Sequence, residues 1–132
     1  MDKALQEVIA GELAVARQKI AAAEDLLKLG HYADAASRAY YSVFHSVRAM
    51  LQSEGLTAES HSGLLTLFSL HFVKPGKWPR KFSKYLQNLK DDREEGDYGV
   101  YSTLDENDAR MALREANEFL AETEVQLKAF LQ

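Results

Sequence analysis

The sequence predicts an all-α fold: an up-and-down helical bundle of four main helices plus one short helix. Two observations predict this class. Every long apolar stripe repeats at three- and four-residue spacing, which is the period of an amphipathic helix. No segment alternates between apolar and polar residues for long enough to form a strand. The chain has 132 residues, enough for a sizeable core, so we expect residues 1–132 to form a single helical domain.

The first two helices are predicted to form an antiparallel pair. Apolar residues recur along 2–29, and Gly30 supplies a stop because glycine accepts the left-handed conformation at a helix end. The second helix follows a turn at His31 and runs to 52–54, where Gly55 ends it in the same way. A connection this short forces the two helices to lie side by side.

A short third helix is predicted over about 61–73. Ser60 or Ser62 can cap its start. The segment is apolar on most sides, so we expect it to be largely enclosed. Beyond it, Trp78 beside Arg80 suits either stacking on a base or closure of one end of the bundle.

Two longer helices complete the prediction. Pro79 is well placed as the first residue of a helix over about 79–95, which Gly96 breaks. Asp105 fits the N-cap of a last helix over 106–131.

Composition excludes several classes of protein. The absence of cysteine excludes disulfides, zinc–thiolate sites and cysteine nucleophiles. The four histidines have no metal-ligand spacing, and no glycine-rich phosphate loop or nucleophile elbow occurs. The sequence therefore predicts no metal site and no cofactor. No apolar run approaches the about 20 residues of a membrane span, and the charged, amphipathic N-terminus is unlike a signal peptide, so we expect a cytoplasmic protein that contacts no membrane.

Charge is distributed unevenly along the chain. Residues 74–90 carry six basic residues and no acid, whereas 91–97 carry five acids and one arginine, within a net charge of −4. Opposite fields side by side can steer a partner or pair two copies of the chain. The basic run also suits a solvated helix face. The candidate nucleic-acid or partner surface, called here the basic surface, consists of Lys74, Lys77, Arg80, Lys81 and Lys84.

The second helix carries a polar stripe of chemically useful side chains. Arg38, Tyr41 and His45 are spaced i, i+3, i+7 and line up within about two turns. A guanidinium, a phenol and an imidazole suit phosphate binding or proton transfer. The same stripe suits a solvated face, with Asp34 and Arg38 as an ion pair. RNA cleavage through the ribose 2′-hydroxyl needs only an acid or base and a phosphate-binding cation, which His45 and Arg38 can supply.

Several segments resemble the HEPN domain, over roughly residues 15–125. The strongest are SRAYYSVFH over 37–45, HSG over 61–63 and REEGDY over 93–98. Further matches are Leu51, EG over 54–55, FVK over 72–74, Ala109, Ala116 and FL over 119–120.

The resemblance implies an α-helical bundle that forms a homodimer and is often paired with a minimal nucleotidyltransferase as a toxin–antitoxin pair. Active HEPN toxins are metal-independent ribonucleases with an Arg-x4–6-His motif shared across the dimer. Arg38 and His45 are separated by six residues and satisfy that spacing. In related toxins the motif lies on a later helix, where this chain has Arg93 and Tyr98, with Asp97 in place of histidine.

Two hypotheses about function follow from the resemblance. The first is a nucleotide- or RNA-binding and partner-docking module that acts with a nucleotidyltransferase. The second is a metal-independent ribonuclease toxin with Arg38 and His45 as catalytic residues. In both, an anionic ligand is expected to contact Arg38, Tyr41, His45, Arg93, Asp97 and Tyr98. Arg93 also suits simple neutralisation of a neighbouring acid, and Tyr98 suits packing of a loop.

Overall fold

A computed structural model describes residues 2–57, 60–98 and 103–131, without the side chain of Tyr98. The described residues form helices and turns and contain no strand, which confirms the predicted all-α class. The helices are α1 Lys3–Lys28, α2 Tyr32–Ser53, α3 His61–Phe68, α4 Lys81–Tyr98 and α5 Glu106–Gln126. A π-helical turn, Ser69–Val73, extends α3, and a 3₁₀ turn, Lys128–Phe130, follows α5.

Helix α2 lies at the centre of the bundle and packs against α1, α3, α4 and α5. The turn that connects it to α1 is closed by Gly30, whose φ is 82°. The backbone N–H of Gly30 bonds the Leu27 carbonyl and that of His31 bonds the Leu26 carbonyl, which is the Schellman arrangement. These bonds satisfy carbonyls at the end of α1 and place the two helices antiparallel, as predicted.

Burial of α2 extends further around the helix than its apolar stripe predicts. Ser42 and Ser46 are fully buried, and their hydroxyls donate to the carbonyls of Ala16 at 2.8 Å and Ser42 at 3.0 Å. Small side chains with internally bonded hydroxyls allow α1 and α2 to approach closely without leaving a buried polar group unsatisfied. The polar stripe that remains exposed is therefore narrow.

The far end of the bundle is closed by an aromatic cluster. Trp78 is 1% exposed, and its ring lies 4.9–5.0 Å, centroid to centroid, from those of Phe68, Phe82 and Phe119. Its burial favours closure of the bundle end over base stacking, the other role considered for Trp78.

The prediction that the third helix is largely enclosed is wrong for one side of the helix only. Leu64 and Phe68 are buried, but Leu70 is 49% exposed. The reason is that Phe68 faces the aromatic cluster, whereas the opposite side of the segment is exposed to solvent. The exposed residues are Ser62, Thr66 and Leu70. Its predicted start is confirmed, because the Ser60 hydroxyl accepts a hydrogen bond from the Gly63 N–H at 3.0 Å.

The predicted limits of the fourth helix are also wrong. Regular helix begins at Lys81 rather than Pro79, because the first N–H groups bond carbonyls three residues back, as in Phe82 to Pro79 at 3.2 Å. Gly96 does not end α4, which continues to Tyr98. A Cβ at Gly96 would lie 3.1 Å from the Ala33 carbonyl oxygen, so this glycine permits a close approach to the start of α2.

The last helix starts as predicted and stops earlier. The Asp105 side chain accepts from the Asp108 N–H, and the Asp108 side chain accepts from the Asp105 N–H, which forms a capping box. Helix α5 ends at Gln126 rather than at 131. There the chain tightens into the 3₁₀ turn, with the Phe130 N–H bonded to the Leu127 carbonyl at 2.9 Å.

Candidate functional site

The polar stripe of α2 lines a cleft of about 550 Å³, called here the α2 cleft. Its lining residues are Lys19, Leu26, Asp34, Ser37, Arg38, Tyr41, His45 and Asp97. Four of the predicted ligand-binding residues thus meet in one cavity. Although Asp34 and Arg38 both line it, the ion pairs among the described residues do not join them.

Glu12 of α1 holds His45 in place. Its carboxylate lies 2.7 Å from His45 Nδ1, and its other oxygen lies 3.2 Å from Arg48 Nε. The Glu12 side chain is only 13% exposed. A carboxylate on Nδ1 fixes the ring orientation of a histidine and directs its chemistry to Nε2.

Arg93 lies behind the cleft and orients Tyr41. Its guanidinium donates to the Tyr41 hydroxyl at 3.2 Å and lies over the rings of Tyr40 and Tyr41, 5.0 and 5.8 Å from their centroids. Arg93 is also 3.9 Å from Asp97, which accepts a hydrogen bond from the Ser37 hydroxyl at 3.4 Å. Arg93 therefore supports the cleft from α4 rather than lining it.

Tyr98 does not join this arrangement, since its side chain lies outside the described part of the chain. Its predicted role as a ligand-binding residue remains a prediction.

An aromatic group adjoins the cleft on the α3 side. The rings of Phe44 and His61 stack at 4.1 Å, and Tyr40 Oη lies 3.1 Å from His61 Nδ1. Burial lowers the pKa of His61, and the positive charges of Arg93 and Arg48 lower it further. Burial raises the pKa of Tyr40. Both side chains are therefore uncharged at pH 7.

The basic surface is separate from the α2 cleft. Its lysines and arginine are exposed, as predicted. Lys77 and Lys81 pair with Glu54 and Glu118 at 3.3 and 3.2 Å. Lys81 precedes Arg93 by twelve residues on α4, or about 18 Å of helix. A single phosphate group bound in the α2 cleft would therefore not also contact the basic surface.

An acidic groove separates α4 from the start of α5. Its lining residues are Asn88, Asp91, Asp92, Asp108, Met111 and Glu115. Burial raises the pKa of Asp92 to about 6, and repulsion from Asp108 and Glu115 adds to the effect. Burial also raises the pKa of Glu115. The hydrogen bonds from Asn88 stabilise the charged carboxylate and lower that pKa in part.

Asp92→Asn is expected to stabilise the protein at pH 7. The folded-state pKa of Asp92 lies above its ordinary value of 3.8, so the native chain loses stability as pH rises from 3.8 through 6. Discounted for partial exposure, the cost of the charge is about 1–2 kcal/mol at pH 7. Urea denaturation should show this gain at pH 7 and little gain at pH 4. The exposed Glu7→Gln is the control, and equal gains for both variants would contradict the assignment.

The described residues contain neither a membrane-spanning helix nor a cluster of metal ligands. No helix there is long and apolar enough to cross a membrane. No group of three or more histidine, aspartate or glutamate side chains there could hold a metal ion.

Sequence reasoning missed Glu12 and Lys19, although α1 carries a usable signal. The antiparallel turn at Gly30 brings together residues at similar distances from it, as Ser42 and Ala16 show. Glu12 lies about as far before the turn as His45 lies after it. Charged residues of α1 opposite the polar stripe of α2 were therefore identifiable as candidates.

Comparisons with known proteins agree with this architecture. The HEPN domain family matches residues 13–126. A UPF0332 protein of Thermotoga maritima is 35% identical over 105 residues, 80% of each chain. A Methanocaldococcus jannaschii protein named as a candidate toxin, MJ0605, is 29% identical over 99% of this chain and 97% of its own.

A solved structure shares the fold. The crystal structure of TT1696 from Thermus thermophilus superposes with a TM-score of 0.76 at 21% identity, covering 90% of this chain and 98% of that one. That similarity concerns the fold alone; the family match over residues 13–126 shows that the chain belongs to the HEPN domain family.

Proposed function

We propose that the chain is a HEPN module of toxin–antitoxin type that binds the phosphate of a nucleotide or RNA in the α2 cleft and docks a nucleotidyltransferase partner. The observation that carries the proposal is the pair of cations in the cleft. Arg38 and Lys19 both line it, and neither takes part in an ion pair among the described residues. Asp97, in contrast, is already engaged by Arg93 and Ser37.

These groups suit a phosphate. A guanidinium and an ammonium supply charge, and Tyr41 and His45 add hydrogen-bonding groups beside them. The toxin–antitoxin context is supported by two Methanocaldococcus jannaschii relatives named as candidate toxins, both 29% identical to this chain.

Arg38→Ala is expected to weaken binding of a nucleotide or short RNA by about 1–2 kcal/mol, which is about 5- to 30-fold in Kd. The reason is the loss of a charge-assisted contact from an exposed side chain that no ion pair holds within the described part of the chain. Isothermal titration calorimetry measures the change. Arg110→Ala is the matched control, since Arg110 is an exposed arginine on α5. Unchanged binding by Arg38→Ala, together with weakened binding by Lys81→Ala and Lys84→Ala, would assign the ligand to the basic surface instead.

The proposal includes a homodimer. The family resemblance supports it, and so do the opposite charges of 74–90 and 91–97, which can pair between copies. Light scattering at micromolar concentration in low salt should give twice the mass of one chain. A monomer under those conditions would refute the dimer.

A metal-independent ribonuclease is the second candidate function. The observation that favours it is the 2.7 Å contact between Glu12 and His45 Nδ1, because it leaves Nε2 as the nitrogen for proton transfer. Arg38 would then bind the phosphate of the scissile bond. A ribonuclease assay with purified protein separates this function from binding alone.

A further inference from the structure

A second cavity lies between the end of α2 and the start of α3. It has a volume of about 300 Å³ and is called here the α2–α3 pocket. Its principal lining residues are Phe44, Arg48, Leu51, Gln52, His61 and Leu64. The function proposed above uses none of these side chains.

The pocket contains an unsatisfied acceptor. The side-chain oxygen of Gln52 is buried and has no hydrogen-bond partner among the residues that the structure describes. A buried polar atom without a partner costs free energy, which a ligand that donates a hydrogen bond recovers. The pocket therefore suits a ligand with an N–H or O–H group at one edge.

The walls favour a flat, uncharged ligand. The stacked rings of Phe44 and His61 form one wall, and the remainder is made of leucines interspersed with polar side chains. Burial and nearby cations lower the pKa of His61, so its imidazole adds no charge. Arg48, the cation of the pocket, is already paired with Glu12.

The pocket and the α2 cleft adjoin along one helix. Glu12 contacts His45 of the cleft and Arg48 of the pocket through its two carboxylate oxygens. From His45 to Gln52 the distance along α2 is about 10 Å. A chain of linked nucleotides can occupy both cavities at once.

We propose that the α2–α3 pocket binds an amino-bearing nucleobase of a single-stranded oligonucleotide whose phosphate lies in the α2 cleft. The base stacks against the aromatic wall, and its amino group donates to Gln52, a pairing that glutamine makes well with adenine. The phosphate half of this assignment rests on the proposed function, whereas the base half rests on the pocket. Together, the two halves specify the ligand as an oligonucleotide with a preferred type of base.

The test compares two fluorescent probes by anisotropy: an adenosine tetraribonucleotide and a tetramer of equal charge without bases. Wild-type protein is expected to bind the adenosine probe about tenfold more tightly. Gln52→Leu should weaken binding of the adenosine probe by about 2- to 10-fold, because it removes the hydrogen bond and leaves the stacking wall, and it should leave the abasic probe unaffected. Gln87→Leu, at an exposed glutamine of α4, is the matched control and should change neither affinity. Thermal melting by circular dichroism checks that each variant is folded.

The outcomes separate the pocket from the cleft. Equal affinity of the wild type for both probes, an inert Gln52→Leu, or equal weakening of both probes by Gln52→Leu would overturn the base pocket. If Arg38→Ala still weakens both probes in that case, the proposed phosphate site stands alone. If Arg38→Ala has no effect while Gln52→Leu reduces the base preference, the pocket stands and the phosphate site fails. No binding of either probe by the wild type would overturn both.

Discussion

Phe119→Ala is expected to lower the free energy of unfolding by about 3–5 kcal/mol, which is the usual cost of deleting a buried aromatic ring. Phe119 is fully buried, and its ring lies 4.9–5.5 Å from those of Phe68, Trp78 and Phe82. The substitution leaves a cavity between α4, α5 and the extended α3. These elements cannot all close onto it, because each is held by other contacts with the bundle.

Urea denaturation followed by circular dichroism and by the fluorescence of Trp78, the only tryptophan, measures this loss. Val125→Ala on the same helix is the control, since Val125 is 69% exposed and its truncation should change stability by less than about 0.5 kcal/mol. Similar denaturation midpoints for the two variants would show that the aromatic cluster does not form the stable end of the bundle.

If the chain cleaves RNA, the second candidate function, His45→Ala is expected to slow that metal-independent cleavage by about 10²–10⁴-fold, the usual contribution of a general acid or base. Glu12 fixes the imidazole through Nδ1, and Arg38 lines the same cleft. The fold should survive the change, because Glu12 keeps its contact with Arg48. Gel-based cleavage of a labelled RNA in the presence of a chelator is the measurement.

His31→Ala is the matched control, since His31 is exposed at the turn between α1 and α2. Glu12→Gln tests positioning, and it should shift the pH profile of cleavage as well as the rate. Cleavage that persists unchanged in His45→Ala would remove His45 from the mechanism. A wild-type protein that binds RNA through Arg38 and cuts none would establish the binding module.

The helices were predictable because their signals are local. The 3.6-residue apolar period and the glycines at 30 and 55 act within a few residues, and both glycines adopt the positive φ expected of a helix end. Gly96 misled the prediction because its role depends on Ala33, a residue 63 positions earlier that passes within van der Waals distance. Sequence periodicity carries no information about such an approach.

The candidate site was predictable from the sequence where its residues lie on one helix. Arg38, Tyr41 and His45 share one helix, so their spacing alone places them together. Gln52 follows His45 by seven residues on the same face of α2, so its position on that face was also readable from the spacing. Glu12 and Lys19 lie on α1, so these two residues required knowledge of how the helices pack. Asp97 lines the cleft, and only the family resemblance grouped it with Arg38, since α4 is distant in sequence from α2.

The contact between Glu12 and His45 limits where insertions and deletions are tolerated. These residues are 33 positions apart and lie on helices joined by a turn of fixed geometry. One residue inserted in α1 after Glu12 would rotate the carboxylate by about 100° about the helix axis and remove it from the imidazole. The same insertion before Ile9, the first buried residue of α1, would shift only the largely exposed start of that helix. Length variation among functional sequences should therefore be confined to positions outside 9–45.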